Sequence, residues 1–145
     1  NLAANGAVMR AAVCGLPSFW SAGHAERVAE ALCRVTHFDE RCVASCVCVS
    51  VTVSLLLAGV RPEEAERQGV GCAERRLAGE HLEELRWYAS PERHWDDLKL
   101  DDPRSIGYTF KALACGLLAL RAPGPFEETI REVVRRGGDA DTNAV

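Results

Sequence analysis

The chain is 145 residues long, 48% apolar and 26% charged, with a net charge of −4 at neutral pH. That length is one domain, able to bury about 68–70% of its unfolded surface, and the composition is that of an ordinary soluble globular protein. An acidic balance without a basic block excludes a nucleic-acid partner held by charge.

Seven cysteines are an odd number, and no Cys-x-x-Cys pair occurs, so neither a disulfide framework nor a zinc site is favoured. Buried free thiols in a reducing, cytoplasmic compartment fit the pattern better.

The first distinctive segment is Asn5-Gly6-Ala7-Val8-Met9-Arg10. It joins a carboxamide, a permissive glycine and a long apolar side chain, a set able to hold a sugar or base edge close to backbone; the plainer reading is a turn leading into a helix. Ala25 to Val35 reads as an amphipathic helix with Ala25, Val28, Ala29, Leu32 and Val35 on its apolar face. Thr36-His37 follows, with the imidazole either capping that helix end or free for a site.

From Asp39 to Ala58 the local signals conflict. Val47, Val49, Val51 and Val53 alternate as in a strand, whereas the length is that of a helix. Because the rest of the chain reads helical and a lone strand has nothing to pair with, a buried helix is expected, capped by Asp39 and ended by Gly59. Cys42 to Ala58 also has about the minimum length of a membrane span, but Ser45, Ser50, Thr52 and Ser54 and flanking charges of both signs favour burial in protein. No membrane role is expected.

Pro62 sits at a first helical position with Glu63, Glu64 and Glu66 behind it, and a second surface stretch, Glu74 to Tyr88, is expected after Gly69 and Gly71. Ser90 to Ser105 reads as a polar loop with solvated carboxylates, long enough to form a rim or lid. Ser105-Ile106-Gly107-Tyr108 then leads into a compact apolar helix, Tyr108 to Leu120, with Phe110, Leu113, Ala114, Leu117 and Leu118 at helical spacing and Cys115 and Gly116 allowing close packing. Tyr108 is either a site residue or a core tyrosine with a wet tip.

The last helical pattern, from Pro125 to Val134, carries Phe126, Ile130, Val133 and Val134 on one face. Gly137 and Gly138 stop it and supply a permissive turn. Behind them come Asp139, Asp141 and Thr142, oxygen donors that suit Mg²⁺, Mn²⁺ or Ca²⁺ rather than zinc or copper. The alternative is a turn in which Asp139 or Asp141 merely caps the next helix.

In this order, Asn5-Gly6-Ala7-x-Met9-Arg10, Thr36-His37, Gly107-Tyr108 and Gly137-Gly138-Asp139-Ala140-Asp141-Thr142 closely resemble the motifs of the ADP-ribosylglycohydrolase family. The family includes hydrolases of ADP-ribosylarginine and ADP-ribosylserine and the dinitrogenase reductase activating glycohydrolase. The match runs from Asn5 to the last residue, with Ala4 standing where Ser or Gly usually precedes the asparagine.

The resemblance implies an all-α, compact orthogonal helical domain, a partial ADP-ribosylglycohydrolase fold. It also implies two Mg²⁺ ions, or Mn²⁺, held on this side by Asp139, Asp141 and Thr142, with Asn5, Gly6, Met9, His37, Gly107 and Tyr108 lining a cleft for ADP-ribose. The implied activity is metal-dependent cleavage of the bond between ADP-ribose and a modified amino-acid side chain or related conjugate, by a protein that is monomeric when complete. The family's upstream acidic segment and Thr-Asp-Asp motif, which supply the other metal ligands and the acid/base carboxylate, do not occur among residues 1–145. The chain is therefore expected to be the C-terminal part of the domain and to catalyse little alone. A non-catalytic structural or ADP-ribose-binding relative is the alternative within the family. An orphan helical domain with a surface Ca²⁺ loop is the alternative outside it, weakened because the loop lacks the glycine and terminal glutamate of an EF-hand.

Overall fold

A computed structural model describes residues 3–144. Among them the chain forms eight α-helices and no strand, as expected. These are α1 (Ala12–Gly15), α2 (Ala22–Arg34), α3 (Glu40–Leu57), α4 (Pro62–Glu74), α5 (Gly79–Ala89), α6 (Thr109–Arg121), α7 (Phe126–Arg135) and α8 (Ala140–Asn143). Short 3-10 turns lie at Val8–Arg10, Leu16–Ser18 and Trp95–Leu98.

The segment with conflicting periodicities is a helix, and it is the centre of the molecule. Asp39 is extended, and its side chain accepts the Arg41 N–H at 2.9 Å to start α3. Val43, Val47 and Val51, four residues apart, are fully buried, while Val49 and Val53 keep some exposure. The alternating valines are thus divided between two sides of one helix. Gly59, at φ +82°, ends it. Helix α3 packs against α1, α2, α4 and α6, so its apolar length is spent on protein contacts.

Its hydroxyls and thiols also have a purpose. Cys42 Sγ donates to Ala4 O at 3.2 Å, Ser50 Oγ to Ala11 O at 2.8 Å and Ser54 Oγ to Ser18 O at 2.9 Å. The irregular N-terminal segment is laid along α3 by these bonds; the Ala11 and Ser18 carbonyls also accept the Cys14 and Ser21 N–H groups.

The expected apolar face of α2 is only partly right. Ser21 caps the helix through the His24 N–H, and the row that packs against the core is Ala25, Ala29 and Cys33. Leu32 and Val35 stay exposed, because the small alanine row lets α2 approach α3 closely and turns the larger side chains outward.

The expected break at Gly69 and Gly71 does not occur. Helix α4 runs through both, and the chain turns after Glu74, before Gly79 at φ +57°. Ala65, Gly69 and Ala73 form its buried row. A Cβ on Gly69 would stand 2.8 Å from Cys48 O and collide with the Thr52 hydroxyl, so this glycine permits helix contact instead of ending a helix. Arg76 then ties the turn to α2 through Glu30 at 2.6 Å and Glu26 at 3.0 Å.

Tyr108 stands just before α6, whose Phe110, Leu113, Ala114 and Leu117 are buried as expected. Cys115 is buried too, but Gly116 is exposed and nothing approaches it, so it has no packing role. The polar stretch 90–105 keeps Asp96 and Asp101 in solvent yet buries Leu98 and Leu100 against Ala114 and Cys115. In α7 only Val133 is buried; Phe126 is 78% exposed.

Two expectations follow. Gly69→Ala should destabilise the fold by about 1–3 kcal/mol through overpacking against α3, whereas Gly71→Ala, with open space around it, should stabilise by roughly 0.5–1 kcal/mol as an ordinary helix substitution. Urea unfolding of both variants checks the opposite signs. Asp39→Ala should cost ~0.5–2 kcal/mol for the lost cap. The Arg41 guanidinium, paired with Asp39 at 2.8 Å, holds that carboxyl below its usual range. This stabilisation is therefore present above the unfolded carboxyl value near ~3.9 and disappears as pH falls through the lowered folded value. The gap between wild type and Asp39→Ala should close in acid denaturation curves.

Candidate active site

The four segments singled out in the sequence meet in space. The Asn5 N–H donates to Gly107 O at 3.0 Å and the Thr109 N–H to Ala3 O at 2.9 Å, so residues 3–5 pair antiparallel with the loop entering α6. The Asn5 side chain, buried to 6% exposure, donates through Nδ2 to Asp139 Oδ2 at 2.6 Å. A Cβ on Gly6 would stand 3.5 Å from Cε1 and Nε2 of His37. Met9 Sδ receives the Thr142 hydroxyl at 3.9 Å. Asn5 therefore reaches the Gly107 and Asp139 segments, Gly6 the His37 segment, and Met9 the Asp139–Thr142 segment.

The Asp139 turn is built by its two glycines. Gly137 and Gly138 have φ +68° and +73°, conformations that other residues rarely adopt. Gly138 also lies flat against Leu100, and a Cβ there would come 2.7 Å from the Leu100 carbonyl carbon. The Leu100 segment is itself held by Lys111, a 3% exposed lysine whose Nζ donates to Lys99 O. Burial lowers the Lys111 pKa from its usual value. The stretch expected as a rim or lid is thus packed against the glycine turn.

Asp139 occupies the N-cap position of α8, but its side chain makes no capping bond. The plain capping reading fails for this residue, because the carboxylate is taken by Asn5. Asp141 is exposed, and its carboxyl is held below the usual range, first by hydrogen bonding with the Asp139 carboxyl and then by the Thr142 and Asp141 backbone N–H groups. Two carboxyl groups face one another beside a buried hydroxyl. A family model described as ADP-ribosylglycohydrolase matches residues 1–145.

The chain belongs to the ADP-ribosylglycohydrolase family. No curated protein and no solved structure matches it. This membership supports a glycohydrolase-type function in general, carried on an all-helical fold.

As a family member it presents a divided site. Asn5, Gly6, Met9, His37 and the Gly107 backbone gather around the Asp139–Thr142 end. The Tyr108 ring does not share their role: it is 4% exposed and packs edge-on with Phe110 at 5.5 Å and Tyr88 at 5.9 Å, under the Arg41 guanidinium. Burial and the nearby Glu84 carboxylate push its phenol pKa up. Among the described residues no group of three or more His, Cys, Asp and Glu side chains converges, so the acidic donors of this turn are Asp139 and Asp141 alone.

Three contributors were not singled out from sequence. Arg10 and Thr36 bond to one another beside His37, and Lys111 supports the turn from below. Arg10 closes the Asn5-Gly6 motif and Thr36 precedes His37, so position in the motif was the available signal for both. A lysine inside an apolar helix was the signal for Lys111.

Removing the Asn5 tether leaves the Asp139 carboxylate without its carboxamide donor. Asn5→Ala should cost about 1.5–3 kcal/mol, the worth of a hydrogen bond to a charged acceptor. Asn5→Asp should cost more at neutral pH, because it places a second carboxylate against Asp139. Thermal unfolding of the two variants measures the order.

Proposed function

We propose that this protein takes part in metal-dependent hydrolysis of the glycosidic bond between ADP-ribose and a modified amino-acid side chain, or a related ADP-ribose conjugate. The observation that carries the reading is the bond from Asn5 Nδ2 to Asp139 Oδ2 at 2.6 Å, which joins the first and last of the family motifs in one place.

The donors at the turn fit a hard divalent cation. Asp139, Asp141 and Thr142 offer oxygen only, and the facing carboxyl groups have no cationic side chain between them in the described contacts, which is the chemistry of Mg²⁺ or Mn²⁺ sites. When bound there, such ions would orient ribose hydroxyls and polarise a water for attack at the anomeric carbon. The chain's own residues do the positioning. Asn5 fixes the rotamer of Asp139. The carboxylates supply negative charge where an oxocarbenium-like state develops positive charge. Gly6 and the Gly107 carbonyl keep backbone close to the cleft, Met9 gives it an apolar wall, and His37 offers an imidazole edge.

All seven cysteines are free and six are buried, which supports a reducing, cytoplasmic setting. The substrate is an ADP-ribosylated protein or small conjugate, with neither nucleic acid nor membrane as partner, and the protein acts as a monomer.

The test is release of ADP-ribose from ADP-ribosylated arginine and serine by the full gene product in Mg²⁺. Asp139→Ala and Asp141→Ala should each lower the rate at least about 100-fold, the equivalent of several kcal/mol of lost charge stabilisation. Asn5→Ala should lower it roughly 10–100-fold through misplacement of Asp139. Chelation should abolish release and added Mg²⁺ restore it. Tight ADP-ribose binding with no release from either substrate would instead assign the protein to the non-catalytic, ADP-ribose-binding branch.

A further inference from the structure

Lys111 is the one charged residue among the buried residues of α6, at 3% exposure. An ammonium is costly to bury, and a methionine of similar length would fill the same space without that cost. The Lys99 carbonyl does not need the lysine as a partner, because the Asp102 N–H already donates to Lys99 O at 3.1 Å. Lys111 Nζ is thus a second donor to a carbonyl that has one.

What it adds is position. Leu98 and Leu100 pack on Ala114 and Cys115, which lie three and four residues beyond Lys111 and so share its face of the helix. Apolar contact sets the height of the loop above α6 but is non-directional, so it does not fix where the loop lies along the helix. Between the two leucines stands Lys99, whose φ of +45° is a left-handed conformation that its surroundings must impose. The bond from Lys111 to Lys99 O supplies the direction that the leucines lack.

The loop fixed in this way is the seat of the Asp139 turn. A Cβ on Gly138 would stand 2.7 Å from the Leu100 carbonyl carbon, so the two backbones are in direct contact and a shift of one is felt by the other. On its other side the turn is held by Asn5, whose side chain bonds Asp139 and whose N–H donates to Gly107 O. Gly107 and Lys111 flank the start of α6, so both grips on the turn lead back to one end of one helix. Burial lowers the Lys111 pKa, and the carboxylates that oppose this are Asp102 and Asp101 of the same loop. The ammonium is answered within the loop and acts on the turn through the backbone.

We propose that Lys111 is a positioning residue for the carboxylates of Asp139 and Asp141: by gripping Lys99 O it fixes where Leu100 stands against Gly138, and thereby tightens the binding of a divalent cation by the pair. The cation rests on the function proposed above; the clamp on the turn does not.

The experiment compares Lys111→Met with Arg121→Met in the full gene product. Arg121 is a control on the same helix, bonded to Glu66, Ala89 O and Ser90 O away from the turn. Two quantities are read. The first, without metal, is hydrogen exchange of the Gly137 and Asn143 amides, which donate to Val134 O and Asp139 O within the turn. The second is Mn²⁺ affinity, from the electron paramagnetic resonance signal of the free ion. Lys111→Met should speed both exchanges about tenfold and weaken Mn²⁺ about tenfold, the lower end of what loss of a group supporting metal ligands costs. Arg121→Met should lower the unfolding temperature and leave both quantities as in the wild type. Should Lys111→Met not fold, Lys111→Gln, too short to reach the carbonyl, is read in the same way.

Wild-type exchange at Gly137 and Asn143 in the Lys111 variant overturns the clamp. Faster exchange with unchanged Mn²⁺ affinity overturns its consequence for the cation, and equal losses in Arg121→Met reduce Lys111 to a general stabiliser and overturn the assignment. A wild type that binds no Mn²⁺ counts against the metal-dependent reading itself, while the exchange result still decides the clamp.

Discussion

The structure depends on how α3 treats the irregular segment laid against it. Residues 4–18 form only short turns and one four-residue helix, and side chains of α3 reach carbonyls spread along them. Cys42, Ser50 and Ser54 supply donors for Ala4, Ala11 and Ser18. Each such bond is worth only ~1 kcal/mol net, so their effect lies in where they hold the segment. The three donors sit eight and four residues apart on one helix, and the carbonyls they meet are spread along the segment. Register is thereby set, and Asn5, Gly6 and Met9 arrive where the chain's last residues can reach them.

The same helix explains why part of the fold was hard to read from sequence. Ser50 and Ser54 donate to a distant segment that no local pattern identifies, whereas Ser45 turns back to Arg41 O of its own helix. Val47 to Val53 alternate because a helix buried on nearly every side tolerates β-branched residues all round. Small residues misled in the opposite way. The Ala25-Ala29-Cys33 row of α2 and the Ala65-Gly69-Ala73 row of α4 are contact faces, yet hydrophobicity weighs them below Leu32 and Val35, and Gly69 resembles a break. Closeness of approach, not side-chain size, determined which face went inward.

At the site, the motifs were legible and their wiring was not. Asn5, His37, Gly107 and Asp139 stood out as candidates because residue type and order marked them. That Asn5 engages a carboxylate on the opposite end of the chain is a property of tertiary geometry. Tyr108 shows the converse. Its backbone pairs with Ala4, but its ring turns into the cluster with Tyr88 and Phe110, where its aromatic body gains apolar contact. A motif position can therefore matter through its main chain while its side chain serves the core.

The Asp139 turn is held firmly although the helix leading into it is loosely held. Helix α7 contributes one fully buried residue, Val133, and leaves Phe126 and Val134 outside. Its end is tied to the 90–105 stretch by Arg136, which pairs with Asp96 and Glu132. Packing of α7 alone would let the following residues drift. Instead Gly138 is seated on Leu100, that segment is fixed through Lys99 by the buried Lys111, and Asp139 is caught by Asn5. The turn is gripped from two sides by elements that do not include its own helix. These contacts set the rigidity of the turn, and a glycine at position 138 is required both for its positive φ and for the absence of the atom that would push Leu100 away.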